Sequence, residues 1–136
     1  MLVVDASVAI KWVLDEPGDR EARAIIETHQ PLIAPELLVA EVVNVAWRRL
    51  QAGEIVARQA AVIAEEVPKV FAELLAIKPL RLRALQIASE LRHPAYDCFY
   101  LALAEMRDAK LVTADRRFAA RLDGTPWQAR ATTLWS

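Results

Sequence analysis

The sequence predicts an α/β fold with a mainly parallel sheet covered on both faces. Short apolar runs with strand character alternate with helical spacings along the whole chain, the pattern that βαβ crossovers impose. The 136 residues fit one domain, and three Gly with no repetitive or Ser/Gln-rich stretch leave no room for a linker or a repeat array. Residues 1–136 are therefore expected to form a single domain.

The elements follow in order. Leu2-Val3-Val4-Asp5 is a short strand ending in an acid, and Ala6–Val13 can form a short helix. Asp15–Asp19 is a turn, and Arg20–His29 has helical spacing. Pro31–Ala34 is a second strand. Pro35 occupies a first helical position with Glu36 in the first turn. The helix to about Leu50 is apolar almost all round, which predicts burial on more than one side, at a subunit interface as well as in the core, and Gly53 stops it. A helix over 54–66 precedes Phe71–Ile77, read as a strand near its end. Leu80–Arg92 is an amphipathic helix whose apolar set is Leu82, Leu85, Ile87, Ala88 and Leu91. His93-Pro94 breaks it, Pro94 starts a helix running to about Arg107, Lys110–Thr113 is a strand, 115–122 a short helix and Ala131–Trp135 the last strand.

Four carboxylates interrupt these apolar stretches: Asp5, Glu41, Asp97 and Asp115. A charged side chain taken out of water without a partner costs several kcal/mol or neutralises itself. Asp5 and Asp115 fall just past the carboxyl ends of strands, where ligands gather in open α/β sheets, although each also suits a helix N-cap. Asp97 suits the first turn of its helix. Glu41 has no such explanation: Leu37, Leu38 and Val45 surround it at helical spacing, Asn44 is its only polar neighbour, and no Lys or Arg stands at i±3 or i±4. If the four converge, a hard divalent cation is the economical partner. Mg²⁺ or Mn²⁺ fits an oxygen donor set, whereas Zn²⁺ lacks Cys and His ligands. Ser7 and Thr113, two residues from Asp5 and Asp115, add hydroxyls beside the carboxylates.

Composition narrows the classes further. The net charge of −1 argues against a protein that coats nucleic acid by charge alone. Cys98, the single cysteine, excludes an internal disulfide and a multi-Cys zinc site and reads as a small buried hydrophobe. His29 and His93, at a helix end and before a proline, do not form a paired acid–base site. There is no Gly-rich phosphate loop, no signal-peptide pattern and no apolar run long enough to span a bilayer, so a cytoplasmic protein is expected.

Val4-Asp5-Ala6-Ser7, Glu41 with Asn44, Ala95-Tyr96-Asp97-Cys98-Phe99-Tyr100-Leu101-Ala102-Leu103-Ala104 and Leu111-Val112-Thr113-Ala114-Asp115-Arg116-Arg117-Phe118 resemble the four acidic motifs of the PIN domain, especially as ordered in the VapC toxins of toxin–antitoxin pairs. The resemblance runs from end to end. Two details depart from the commonest pattern: Pro94-Ala95 stands where a small polar residue often begins the third motif, and Cys98 where Ala is usual. The resemblance implies a three-layer α/β/α domain with a mainly parallel sheet and an endoribonuclease site dependent on Mg²⁺ or Mn²⁺, formed by Asp5, Glu41, Asp97 and Asp115. It also implies a homodimer inhibited by an antitoxin in a toxin–antitoxin hetero-oligomer. Ser7, Asn44 and Thr113 would support the acids, and Arg116 and Arg117 are the best-placed residues to hold RNA phosphates. Two other readings stay open: a catalytically silent partner-binding module whose acids are caps, and a phosphatase using Asp5 as nucleophile, although Ser7 stands where that chemistry wants a second acid.

Overall fold

A computed structural model describes residues 1–135. Strands β1 (Leu2–Val4), β2 (Leu32–Pro35), β3 (Glu73–Leu75), β4 (Lys110–Thr113) and β5 (Ala131–Thr133) pair in parallel in the order β3-β2-β1-β4-β5. β1 is central, with Val3 opposite Ile33 on one side and Leu111 on the other. All three are buried, as strands covered on both faces require.

Among the described residues, seven α-helices complete the three-layer α/β/α fold: α1 (Ala6–Ala9, continued by a 3₁₀ turn Ile10–Trp12), α2 (Asp19–Glu27), α3 (Leu37–Gln51), α4 (Ala57–Glu66), α5 (Arg81–Leu91), α6 (Ala95–Arg107) and α7 (Arg116–Arg121). Helix α6 packs across β1, β2 and β4, and α5 packs on α6. Tyr100, Leu101 and Leu103 of α6 are almost wholly enclosed, and truncating such a leucine to alanine costs about 2–5 kcal/mol. Helix α3 contacts β2, α1 and α4, burying Leu38, Val42 and Ala46. Trp12 closes the core beside α2, donating from Nε1 to the Ala22 carbonyl at 3.0 Å and packing its ring 5.4 Å from Phe71. Among the described residues, no helix is long and apolar enough to cross a membrane.

Several expectations change. Pro35 ends β2 instead of starting α3. It lies beyond the last β2 residue that pairs with β1, and it pairs with Leu75 of β3. The next N–H, from Glu36, donates to the Leu75 carbonyl at 2.7 Å, so the chain completes this ladder before it turns and a missing proline donor costs nothing there. Leu82 and Leu85 are exposed rather than core. Helix α5 is rotated so that Ala84, Ile87 and Leu91, at spacings of three and four, meet α6. Within the single chain helix α3 buries one face, and Val39, Val43 and Trp47, spaced four apart, form an exposed apolar stripe, with Trp47 55% exposed, on the side the sequence assigns to a subunit interface. The last strand stops at Thr133. Cys98 is buried as expected, and burial followed by the nearby Asp97 charge pushes its thiol up to about 12.

Candidate active site

The sheet's connections leave in opposite directions from its centre, towards β2 and β3 from β1 and towards β5 from β4. Such a switch point opens a crevice beyond the carboxyl ends of the two central strands. Asp5 follows β1 and Asp115 follows shortly after β4, so backbone topology alone puts both acids at this crevice.

Both acids also cap helices. Asp5 Oδ1 accepts from the Val8 N–H at 3.2 Å, at the start of α1, and from the Ser7 hydroxyl at 2.6 Å. Asp115 Oδ1 accepts from the Arg117 and Phe118 N–H groups at 3.0 and 3.1 Å, at the start of α7. Capping occupies one oxygen in each case and so does not compete with a role for the carboxylate as a whole. Ser7 Oγ also accepts from the Ala114 N–H at 2.9 Å and lies 3.4 Å from Thr113 Oγ1, which accepts from the Asp115 N–H at 3.1 Å. The two hydroxyls thus tie the turn after β1 to the turn after β4. Thr113 is fully buried beneath them.

Helix α6 brings the third acid. Asp97 sits in its first turn, with Oδ2 2.5 Å from Nε2 of His93, whose ring stacks on Phe118 at 5.0 Å between centroids. Three residues further on the same face, the Tyr100 hydroxyl donates to Glu41 Oε1 of α3 at 2.6 Å. This is the partner that Glu41 lacks on its own helix: a neutral donor from a different element.

Asp5, Glu41, Asp97 and Asp115 line one cavity of about 680 Å³, together with Ser7, Asn44 and Tyr100. Its far end is neutralised: Glu16 accepts from Lys11 at 3.0 Å and from Arg49 at 2.6 Å. The near end is not. Burial pushes the Asp5 carboxyl up to about 7, against the pull of bonds from Ser7, Thr113 and Val8, and the Asp97 charge adds to the rise. Burial likewise raises Glu41, only partly offset by Tyr100 and reinforced by Asp97. Burial of anionic oxygens, with the Asp97 charge adding to it, is a cost that a bound cation offsets.

Hard oxygen donors are the right chemistry for a divalent ion such as Mg²⁺. Among the described residues, no three acidic, His or Cys side chains already surround a common ion position. Each carboxylate is instead held by a protein donor: Ser7 and Val8 on Asp5, Tyr100 on Glu41, His93 on Asp97 and the α7 amides on Asp115. The donor set fits an ion, provided side chains turn inward as it binds.

Two residues of the site escape the sequence reading. Tyr100 could have been suspected from its i+3 relation to Asp97. His93, read only as part of a helix break, stands at i−4 to Asp97 and has nothing else in the sequence to mark it. Of the two arginines expected to face RNA, Arg116 stacks over Trp135 at 4.6 Å, and Arg117 lines a separate cleft beside Asp115. Trp135 in turn lies so close to Gly18 that a Cβ there would run into its ring, and Gly18 has φ +89°, a backbone region favouring glycine.

Residues 2–122 match the family model described as PIN domain. The chain is 32% identical over 123 residues to Ribonuclease VapC3 of Pyrobaculum aerophilum, covering 88% of this chain and 93% of that relative. The crystal structure of PAE2754 from Pyrobaculum aerophilum superposes with a TM-score of 0.71 at 26% identity, over 91% of this chain and 81% of that one. A toxin–antitoxin complex from Klebsiella pneumoniae gives 0.68 at 16% identity over 98% of both chains, a likeness of fold.

Proposed function

This chain belongs to the PIN domain family, and from that premise we propose that it is a metal-dependent endoribonuclease, the toxin of a toxin–antitoxin pair acting in the cytoplasm. The observation that carries this reading is the meeting of four carboxylates from four separate elements in one cavity, two of them raised by burial. Caps need no such convergence.

Asp5, Glu41, Asp97 and Asp115 are the residues assigned to hold the ion, Mg²⁺ or Mn²⁺. When bound, such an ion supplies Lewis acidity, lowering the pKa of water and stabilising charge on phosphate oxygens. The chain's own residues do the positioning. Ser7 and Thr113 hold Asp5 against β4, Tyr100 orients Glu41, and His93 orients Asp97. Asp5, whose carboxyl burial pushes up to about 7, would have to give up its proton to serve as a ligand to such a cation. Asn44 adds a neutral polar group on the Glu41 face of the cavity.

The exposed stripe Val39, Val43 and Trp47 on α3 supports association, since apolar patches on small proteins mark interaction sites. We assign it to a two-fold homodimer, with the antitoxin bound nearby. The test of the central reading is cleavage of a panel of structured RNAs in Mg²⁺ or Mn²⁺ and in EDTA. Cutting that disappears on chelation and returns with either ion is expected; undiminished cutting after thorough chelation overturns the metal mechanism.

A further inference from the structure

We propose that Arg92, Arg117 and Arg121 form a phosphate-binding subsite that carries the RNA strand past the carboxylate cavity, an assignment that rests on the ribonuclease reading. A second cleft of about 700 Å³ opens between the turn joining α5 to α6 and helix α7, lined by these arginines with His93, Pro94, Ala120 and Asp115. Asp115 lines both spaces, so a strand whose scissile phosphate lies at the acids has its neighbouring phosphates at this cleft.

The cleft is assembled from two elements. Arg117 and Arg121 stand one turn apart on the same face of α7. Arg92 faces them from the end of α5, where the chain takes a left-handed conformation, φ 52°. That turn presents the Arg92 carbonyl to the Arg121 guanidinium at 3.0 Å, which aims the latter into the cleft.

Arg23, Arg49, Arg83, Arg107 and Arg130 each meet a carboxylate. Among the described residues, Arg92, Arg117 and Arg121 meet none, and Asp115, the acid in their cleft, has Oδ1 committed to the α7 amides. Absence of a carboxylate partner is shared with Arg20, Arg48, Arg58, Arg81 and Arg116, none of which lines this cleft; what sets Arg92, Arg117 and Arg121 apart is that three such unpaired guanidiniums line one cleft. In a chain of net charge −1, three uncompensated guanidiniums collected beside an acidic cavity form a local attractor for an anion. Their planar forks match phosphate oxygens. RNA is favoured over an acidic peptide because the occupant must continue across Asp115 into the cavity, where a phosphodiester has a reaction to undergo and a side-chain carboxylate has none.

Counterion release gives the test. Anisotropy of a short fluorescein-labelled single-stranded RNA of mixed sequence is measured across a salt series, with Ca²⁺ replacing Mg²⁺. Each lost phosphate contact lowers the slope of log K against log salt by about 0.7. Arg117→Gln/Arg121→Gln should lower it by roughly twice that amount, while Arg20→Gln/Arg58→Gln, which removes the same charge elsewhere, leaves it unchanged. Arg92→Gln, whose side chain makes no bond to the described protein, gives an independent measure and should lose about one contact. An unchanged slope in both cleft variants overturns the subsite, as does Arg117-dependent binding of a decaglutamate peptide without Arg117-dependent binding of RNA. If wild-type protein still cuts RNA with Mg²⁺ in that event, only the subsite falls. If it neither binds nor cuts RNA, the subsite and the ribonuclease reading fall together.

Discussion

Replacing Asp5 by Asn should stabilise the metal-free protein at pH 8 and leave it almost unchanged at pH 4. Asp5 is 5% exposed, and its carboxyl is raised from 3.8 to about 7, with burial the main cause and Asp97 a minor one. Between those values the native state holds a proton that the unfolded chain releases, so stability falls as pH rises through the window. Below about 4 the group is protonated in both states and contributes no penalty; above about 7 the full penalty applies. About three units at roughly 1.4 kcal/mol each gives a ceiling of about 4 kcal/mol. Asn keeps an oxygen for the Val8 and Ser7 donors and is a good cap, so little is lost in exchange. Urea unfolding in EDTA reads the difference: at an m value of about 2 kcal/mol/M, the midpoint should rise by up to roughly 2 M at pH 8 and scarcely at pH 4. Equal shifts at both pH values, or destabilisation at pH 8, would refute the account of a penalised buried carboxylate.

Two further outcomes follow from the same geometry. Asp97→Asn and Glu41→Gln should each cut RNA at least about a hundredfold more slowly, consistent with loss of several kcal/mol of transition-state stabilisation, with circular dichroism unchanged; normal cleavage by both variants would return the acids to the role of caps and surface charge. Trp47→Asp should break the proposed homodimer and leave a monomer in light scattering, because a charge on the exposed α3 stripe has no partner there; unchanged mass and unchanged antitoxin binding would remove Trp47 from either interface.

Much of this molecule was legible because its punctuation is local. Gly53 stops α3 with φ +74°, and Pro94 stands immediately before α6. Asp5 and Asp115 were legible as strand-end acids, and Glu41 was conspicuous because helical spacing offered it no cation. What spacing could not supply was the partner itself. The Tyr100 hydroxyl reaches Glu41 from 59 residues away, from a different helix lining the same cavity. His93 was obscured by the proline after it, whose effect on the backbone explained the position without any use for the imidazole. Leu82 and Leu85 misled for a related reason: α5 has apolar residues on two faces, and only the surface of α6 decides which is covered.

The stitch between Ser7 and Ala114 spans 107 positions of the chain, and this separation gives the protein a timetable. On a ribosome adding about 5–20 residues per second, roughly 5–20 s pass between synthesis of the first turn and of the segment that completes it. During that interval β1 lacks its β4 neighbour, and the crevice has only one wall. A message broken before its last fifth therefore yields a chain holding at most three of the four acids and no finished pocket, so the site is completed only from the last stretch of the message.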